Sequence, residues 1–510
     1  MLFSHNERNS MACLLGIDIG TSGTKSLVID DAGRILGESY REYSIECPQV
    51  GWAEQEPELW WRAACETVRE ALAKSKLASS QIAAAGLSGQ MHGTVLLDEH
   101  LQPLGNAIIW ADSRSGDEVA ELRERIGREW LALLTANPLA TGFMAASLAW
   151  VRKHQPERLE QVRHVLLPKD YVRLRLTGRL GSEPSDASST LLFDVANGRW
   201  SADMAELVGI GKSILPPVSQ SCDIAGPITA DAAGCTGLTA GTPVIFGGGD
   251  LAMNAVGNGV VRPGIACANI GTGGQLYVTS DHPTHDPQLR IHTFSHVIPG
   301  HWILSGAVLS AGLSLKWFRD NVAGFASYDE VTSLAAKVKA GCDGLIFLPY
   351  LIGERTPHMD PNARGVFFGL ALKHDKASMA RAIMEGVTFA LRDALQIMRD
   401  LGIEFHAIIA SGGGARSVLW KQIQADVFNL PVRTVLTKEQ AALGAAICAG
   451  VGVKVYPGVA EACGRLMRFG DEVVSPIGEH VPRYDRLFGV YRSLYADNRG
   501  KFRDLRLDED

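Results

Sequence analysis

No two of the nine cysteines stand in a C-x-x-C pair, and their odd number and wide scatter, from Cys13 to Cys463, give no disulfide framework. A reducing cytoplasm is the compartment expected of such a chain. Positive charge is also lacking: the formal net charge is -7, which leaves no electrostatic footprint for nucleic acid. The opening residues, MLFSHNERNS, hold no apolar run. They read as a disordered extension over residues 1–11, ahead of a strand starting near Cys13, and not as a signal peptide. The longest uncharged stretch, Leu131 to Val151, is long enough to cross a bilayer. Asn137, Pro138 and Gly142 break it midway, where lipid would leave backbone groups unsatisfied. It reads as a helix end, a loop and a buried helix, so no membrane partner is expected.

What is present in quantity is glycine, 54 of 510 residues, in a chain too long for one growing core. An apolar fraction of 46% and a charged fraction of 21% fit a loop-rich α/β protein of two or more domains. The segment LLGIDIGTSGTKSLVIDDAGRILGESYREY has short β-rich runs punctuated by glycine, which predicts three antiparallel strands. Pro57 then opens a helix in its first turn, and IAAAGLSGQ returns to a strand. A second segment, GIACANIGTGGQLYVTS from Gly264, repeats the strand, I-G-T-x-G, strand pattern that begins at Leu14. The stretch GLTAGTPVIFGGGD near Gly241 reads as the crossover between two halves, 12–242 and 243–500. Further on come a strand at HWILSGAV, helices around Ala377 to Leu401, a strand at AIIASGG, and helices near Ser417 and Glu439.

Three glycine-rich turns invite a phosphate reading. GTSGTKS, Gly20 to Ser26, carries Thr24 where a P-loop needs glycine before its lysine, and the β-branched SLVID after it opens a strand and not a helix. Its backbone N–H groups can instead line an anion site in a hairpin turn. Asp18 on the incoming strand would face that turn, where an acid serves chiefly to hold hydrated Mg²⁺. The third turn, Gly412, Gly413 and Gly414, places Ser417 where a dinucleotide fingerprint has its last glycine, and no acid closes the next strand. Close backbone approach by a nucleoside is enough to account for it.

In GGGDLAMNAVG a single carboxylate, Asp250, stands between three glycines and an apolar stretch. A buried acid there is a hydrogen-bonded structural group, a metal ligand or a poised general base. His92 follows the strand IAAAGLSGQ, at the strand end where α/β ligands bind. Trp110 reads as partly core, and Glu354 with Arg355 as an ion pair holding a loop.

These elements, in this order, resemble the sugar kinase, heat-shock ATPase and actin superfamily, and more narrowly the FGGY-family carbohydrate kinases, the xylulokinase group in particular. The matching stretches include GIDIGTSGTK, GLSGQMHGTVLLD, IIWADSR, LLPKDYVRLRLTG, SDASST, GGGD, IGTGG, FLPYLIGERTPH, GVFFGL, SGGGARS and ALGAA, from about Leu14 to about Gly450. The resemblance implies two ribonuclease H-like α/β domains with an active-site cleft between them, and an ATP-dependent kinase of a terminal sugar hydroxyl. It implies Asp250 as the base, Asp18 as the water-mediated Mg²⁺ ligand, and Met91, His92, Trp110 and Asp112 around the sugar. Gly20, Thr21, Ser22, Lys25, Gly271, Thr272 and Gly273 would hold phosphates, and Gly412, Gly413 and Gly414 the adenosine. ATP and Mg²⁺ are the implied cofactors, a small sugar is the other partner, and a homodimer is compatible with it. D-xylulose is the first candidate substrate; other pentuloses, hexuloses or tetritols are alternatives, and a non-catalytic ATP-dependent binding or assembly protein is the reading from another class.

Three positions depart from that pattern. Leu251 stands where xylulokinases usually carry asparagine, Ser147 replaces the lysine of the family's first signature, and Ser378 stands where the second prefers a carboxylate or amide. The fold expectation is untouched, and the sugar is left open by Leu251.

Overall fold

The computed structural model describes residues 12–505, so the expected extension over residues 1–11 lies outside the described residues. Among the described residues two compact units emerge: one comprises residues 12–261, 294–301 and 439–467, the other 262–293, 302–438 and 468–505. No helix among the described residues is long and apolar enough to cross a membrane, and the stretch 131–151 divides into the helices Arg128–Thr135 and Met144–His154 around a loop. None of the nine cysteines is in a disulfide.

The first unit is built on β1 (Cys13–Ile19), β2 (Gly23–Asp30) and β3 (Ile35–Glu42), the antiparallel meander read from the sequence. Pro57 sits in the first turn of the helix Pro57–Ser75, where its missing N–H leaves nothing unsatisfied. This helix buries Trp60, Ala64, Val68 and Ala71 and carries the chain back to β4 (Ile82–Gly89), which pairs parallel to β1. Next come β5 (Pro243–Ile245) and β6 (Gly248–Gly249), both parallel to β4, and the strand order is β3-β2-β1-β4-β5. The 3-2-1-4-5 order is that of the expected ribonuclease H-like sheet.

The second unit repeats it. Its strands β7 (Gly264–Ile270), β8 (Gly274–Ser280), β9 (Trp302–Val308), β10 (Phe405–Gly412) and β11 (Val432–Thr434) run in the order β9-β8-β7-β10-β11, with β7 parallel to β10 and β10 parallel to β11. The long helix Lys376–Asp400 packs its apolar stripe, including Ile383, Val387, Leu391 and Ala394, into this unit's core.

The boundary near Gly241 needs correction. The chain stays in the first unit through β5, β6 and the helix Asp250–Gly257 and leaves it only after Val261. It also returns: the helix Gln440–Gly452, expected in the C-terminal half, packs on β1 and β4. Its sequence, QAALGAAICAGVG, is apolar on every side because it is covered by the sheet on one side and the helix Asp250–Gly257 on the other. The approach is so close that a Cβ at Gly16 would lie 1.9 Å from the Ala442 carbonyl oxygen, and one at Gly86 would lie 2.1 Å from that of Ala445. Backbone cannot yield as a side-chain tip does, so both strand positions require glycine.

Candidate active site

In the first unit the register aligns Asp18 on β1 with Ser88 on β4, and Ser88 with Gly248 on β6. One residue on, Ile19, Gly89 and Gly249 align, and the three chains then leave the same sheet end as Gly20, Gln90 and Asp250. Parallel strand ends of one sheet thus bring Asp18, the hairpin turn, Met91, His92 and Asp250 to one edge.

Asp250 is the first residue of the helix Asp250–Gly257, where the helix dipole favours a negative charge. Burial above all, and then the charge of Asp18, outweigh this and push its carboxyl up to about 7, against the backbone N–H of Leu251. An acid held near neutral pH both accepts and releases a proton under working conditions. The glycines before it answer to protein contacts. Gly247 has φ 86°, with its Cβ position 2.3 Å from the Leu87 carbonyl oxygen, and a Cβ at Gly249 would lie 3.0 Å from Met91 Cγ. The turn presses onto β4 and Met91, and side chains there would lift Asp250 away.

Asp18 accepts a 2.7 Å hydrogen bond from Ser88 Oγ. Burial raises its carboxyl above the usual range, opposed by Ser88 and Lys25 and assisted by Glu439. Lys25, opposite Asp18 in the β1–β2 register, ion-pairs with Glu439 and lies 5.4 Å from the centre of the Tyr40 ring. Its ammonium is therefore engaged at the start of the returning helix, a partner the sequence did not suggest.

The turn Gly20–Gly23 closes through Gly20 N–H to Gly23 O at 3.0 Å. Its ties to other segments run to carbonyls and to one hydroxyl. Tyr43 Oη donates to Gly20 O (2.7 Å), Gln55 Nε2 to Thr21 O (2.8 Å), and Tyr40 Oη to Ser22 O (3.2 Å). Trp110 Nε1 donates to Thr21 Oγ1 at 2.8 Å, so this 38% exposed tryptophan is joined to the turn and not embedded in the core.

His92 adopts φ 73°, a left-handed conformation uncommon outside glycine, and is held there from several sides. Its backbone N–H donates to Ser189 Oγ (3.1 Å), Nδ1 lies 2.7 Å from Ser189 O, and its ring packs 4.0 Å from Phe143. Asp112 is the expected site residue that the structure uses differently. It is 2% exposed; Oδ2 accepts from Ala53 N–H (2.7 Å) and Arg114 Nη2 (2.7 Å), and Oδ1 from Arg114 N–H (2.9 Å). Those bonds spend its acceptor capacity on holding Arg114, whose guanidinium stacks 3.6 Å over Trp52. It is a loop-building carboxylate.

In the second unit the hairpin Gly271–Gly273 and the loop Gly412–Gly414 leave adjacent parallel strands, with Ile270 opposite Gly412. The hairpin is clasped by the start of the helix Gly312–Trp317: Ala311 and Leu313 N–H both donate to Thr272 O, at 3.1 and 3.0 Å. Gly412 has φ 74°, and a Cβ there would lie 2.5 Å from Asn269 Oδ1. Glu354 is 2% exposed and braces this unit, its Oε1 accepting from Leu309 N–H (3.2 Å) and Arg355 N–H (2.7 Å). The bonds it makes are to backbone, where the sequence suggested an ion pair with the Arg355 side chain.

Sequence reasoning passed over Ser88, Glu439, Ser185 and Ser189. The last two lie in SDASST, a stretch to which the sequence alone assigns no role. Their signal is the run of small hydroxyl residues between the buried Glu183 and Leu191, which suits a polar turn in the interior.

Family models described as the N-terminal and C-terminal domains of the FGGY family of carbohydrate kinases match residues 13–257 and 266–453. The chain is 35% identical over 486 residues to a xylulose kinase of Bacillus subtilis, covering 95% of this chain and 97% of that one. It superposes on a crystal structure from Brucella ovis, described as a xyloylose kinase, with TM-score 0.89 and 35% identity over 96% of this chain and 99% of that one. A gluconate kinase structure from Lactobacillus acidophilus is similar with TM-score 0.91 and 28% identity, over 96% of this chain and 98% of that one.

Proposed function

The chain belongs to the FGGY family of carbohydrate kinases, and on that premise we propose that it transfers the γ-phosphoryl group of ATP to O5 of D-xylulose, with Asp250 as the general base. The observation that carries the assignment is an acid held at about 7, at the mouth of three aligned strands, beside a second acid and a glycine hairpin. Phosphoryl transfer through a loose transition state needs little covalent help from protein. It needs the attacking hydroxyl in line and somewhere for its proton to go. Asp250 Oδ takes that proton as the sugar oxygen bonds to the γ-phosphorus and the bond to the β–γ bridging oxygen breaks, giving ADP and the sugar phosphate. Met91, His92 and Trp110 orient the sugar. Within the turns Gly20–Ser22 and Gly271–Gly273, whose first N–H groups are spent closing each hairpin, the N–H groups of Thr21 and Ser22 and of Thr272 and Gly273 take phosphate oxygens, and Gly412 to Gly414 receive the adenosine.

The donor set suits Mg²⁺. Asp18 and Asp250 are close enough for the charge of one to raise the other, and a hard cation relieves that repulsion. Asp18 would hold the ion through water, with phosphate oxygens of the nucleotide supplying the rest of its protein-free coordination. When bound, the ion would neutralise charge on the transferred group.

Replacing Asp250 by asparagine is expected to lower kcat by roughly 10²- to 10⁴-fold while ATP binding persists. A variant keeping more than about a tenth of wild-type turnover would reject Asp250 as the base. The second reading, another ketose or a polyol, rests on Leu251, which presents no side-chain hydrogen bond beside the base, and on the likeness to a gluconate kinase. ADP release measured over a panel of ketoses, polyols and aldonates ranks these substrates. Absence of any sugar-stimulated turnover would favour a nucleotide-dependent binding or assembly protein.

A further inference from the structure

Two buried serines stand behind the two halves of the acceptor site, and each works as a relay. Ser185 Oγ donates to Glu183 Oε1 (3.0 Å) and accepts the N–H of Gly249 (3.0 Å), the residue before the base. Ser189 Oγ donates to Asp186 O (2.7 Å) and accepts the N–H of His92 (3.1 Å). Both are at most 1% exposed, and their segment is anchored underneath. Glu183 also accepts from Ser221 Oγ (2.7 Å), and Lys169 Nζ lies 3.7 Å from Glu183 Oε1 and 3.6 Å from Asp186 Oδ2. One short segment therefore fixes the base and the imidazole relative to each other.

It also fixes the imidazole's chemistry. Ser189 O, a carbonyl, can only accept, so the ring nitrogen 2.7 Å from it, Nδ1, carries the hydrogen. In the neutral ring Nε2 is then the acceptor. We propose that Ser185 and Ser189 are positioning residues of the acceptor site, Ser185 acting through Asp250 and Ser189 through His92, and that Ser189 makes His92 Nε2 a hydrogen-bond acceptor that selects a sugar hydroxyl and rejects a carbonyl oxygen at that place. This rests on the reading of His92 as a sugar contact.

Three measurements test it. In ¹⁵N spectra of the whole protein at alkaline pH, assigned by the signals lost in His92→Gln, the His92 ring should show Nδ1 protonated and Nε2 bare. An Nε2-protonated tautomer would overturn the inference. Gln places an amide oxygen near the Nε2 position and Asn does not, so His92→Gln should exceed His92→Asn in kcat/KM by roughly tenfold, a hydrogen bond's worth of discrimination; equal values would count against the acceptor role. Ser189→Ala should raise the sugar KM about three- to tenfold with the ATP KM unchanged, whereas Ser185→Ala should lower kcat about three- to tenfold with the sugar KM within about twofold. The same fractional loss of kcat and KM in both variants, tracking a fall in thermal midpoint, would reduce both serines to packing. If no sugar is phosphorylated at all, the kinase reading fails, and the His92 tautomer still decides the inference.

Discussion

A carboxyl that titrates at about 7 in the fold and near 3.9 in the unfolded chain makes a definite statement about stability. Between those values the native state binds the proton and the unfolded state does not, so stability falls as pH rises and the cost is fully developed above about 7. At 1.36 kcal/mol per pH unit the ceiling is about 4 kcal/mol. Asp250 keeps part of its surface open to solvent, and screening there reduces the effect to on the order of 2 kcal/mol. Asparagine has the same shape and no charge to desolvate. Asp250→Asn is therefore expected to stabilise the apo protein by about 2 kcal/mol at pH 8, while the gain shrinks below about 1 kcal/mol near pH 5, where most of the wild-type acid is already protonated. Urea unfolding at the two pH values, read as a change in midpoint at constant slope, measures both numbers. The activity loss should accompany the gain in stability, as expected of a group retained for chemistry at the expense of the fold. A variant that is less stable than wild type at pH 8, or equally stabilised at both pH values, would refute the desolvated-base account.

On the proposed mechanism the same acid governs rate. Below about pH 7, kcat/KM should fall tenfold per unit as Asp250 protonates, and Asp18→Asn should move that limb to lower pH, because the lost negative charge had been raising it; a flat profile from about pH 5.5 to 8 contradicts this. Gly16→Ala would drive a methyl into the Ala442 carbonyl and should cost about 3 kcal/mol in urea unfolding, while Gly464→Ala, with open space around it, serves as the control. Asp112→Ala removes one of the two carboxylates paired with the buried Arg114 side chain, Glu54 being the other, and leaves the Ala53 N–H without its acceptor; it should cost about 1–3 kcal/mol, with the loss appearing in stability before it appears in the sugar KM.

Much of the layout was legible because local signals and the fold agree. The meander was readable from β-rich runs between glycines, the helix Pro57–Ser75 from its proline, and the duplication from the recurrence of I-G-T-x-G. The boundary was not. Nothing local in TPVIFGGGD tells a strand of one unit from a linker, and the returning helix Gln440–Gly452 is uniformly apolar, so its periodicity points to no particular face. That it fits between β1, β4 and the helix Asp250–Gly257 is visible only when the clearances at Gly16 and Gly86 are measured. Asp112 shows the opposite failure: the family resemblance implied a place in the sugar pocket, and its bonds go instead to Arg114, two residues on in the same stretch IIWADSR, and to the Ala53 N–H, brought to it from another segment. Ser185 and Ser189 were invisible for the same reason, since their partners lie at residues 92 and 249.

The duplicated hairpins explain why only one copy carries the acid. Asp18 aligns with Ser88 on the neighbouring parallel strand, and in the second unit Asn269 aligns with Ser411 in the same way, followed by Gly89 and Gly412 at the next step. The architecture is preserved and the carboxylate has become an amide. A hairpin that receives polyphosphate through its N–H groups, as proposed above, would be weakened by a nearby negative charge unless a cation intervened. One carboxylate can be matched by one hydrated Mg²⁺, and a second would add repulsion with no counterion assigned to it. Asparagine keeps the size of the side chain under Gly412, where its Oδ1 already excludes any Cβ, without adding that charge. Asn269→Asp is thus the informative reversal: it should raise the KM for ATP severalfold, by charge alone, with the sugar KM unchanged, and an ATP KM that does not move would show that the second hairpin does not hold phosphate.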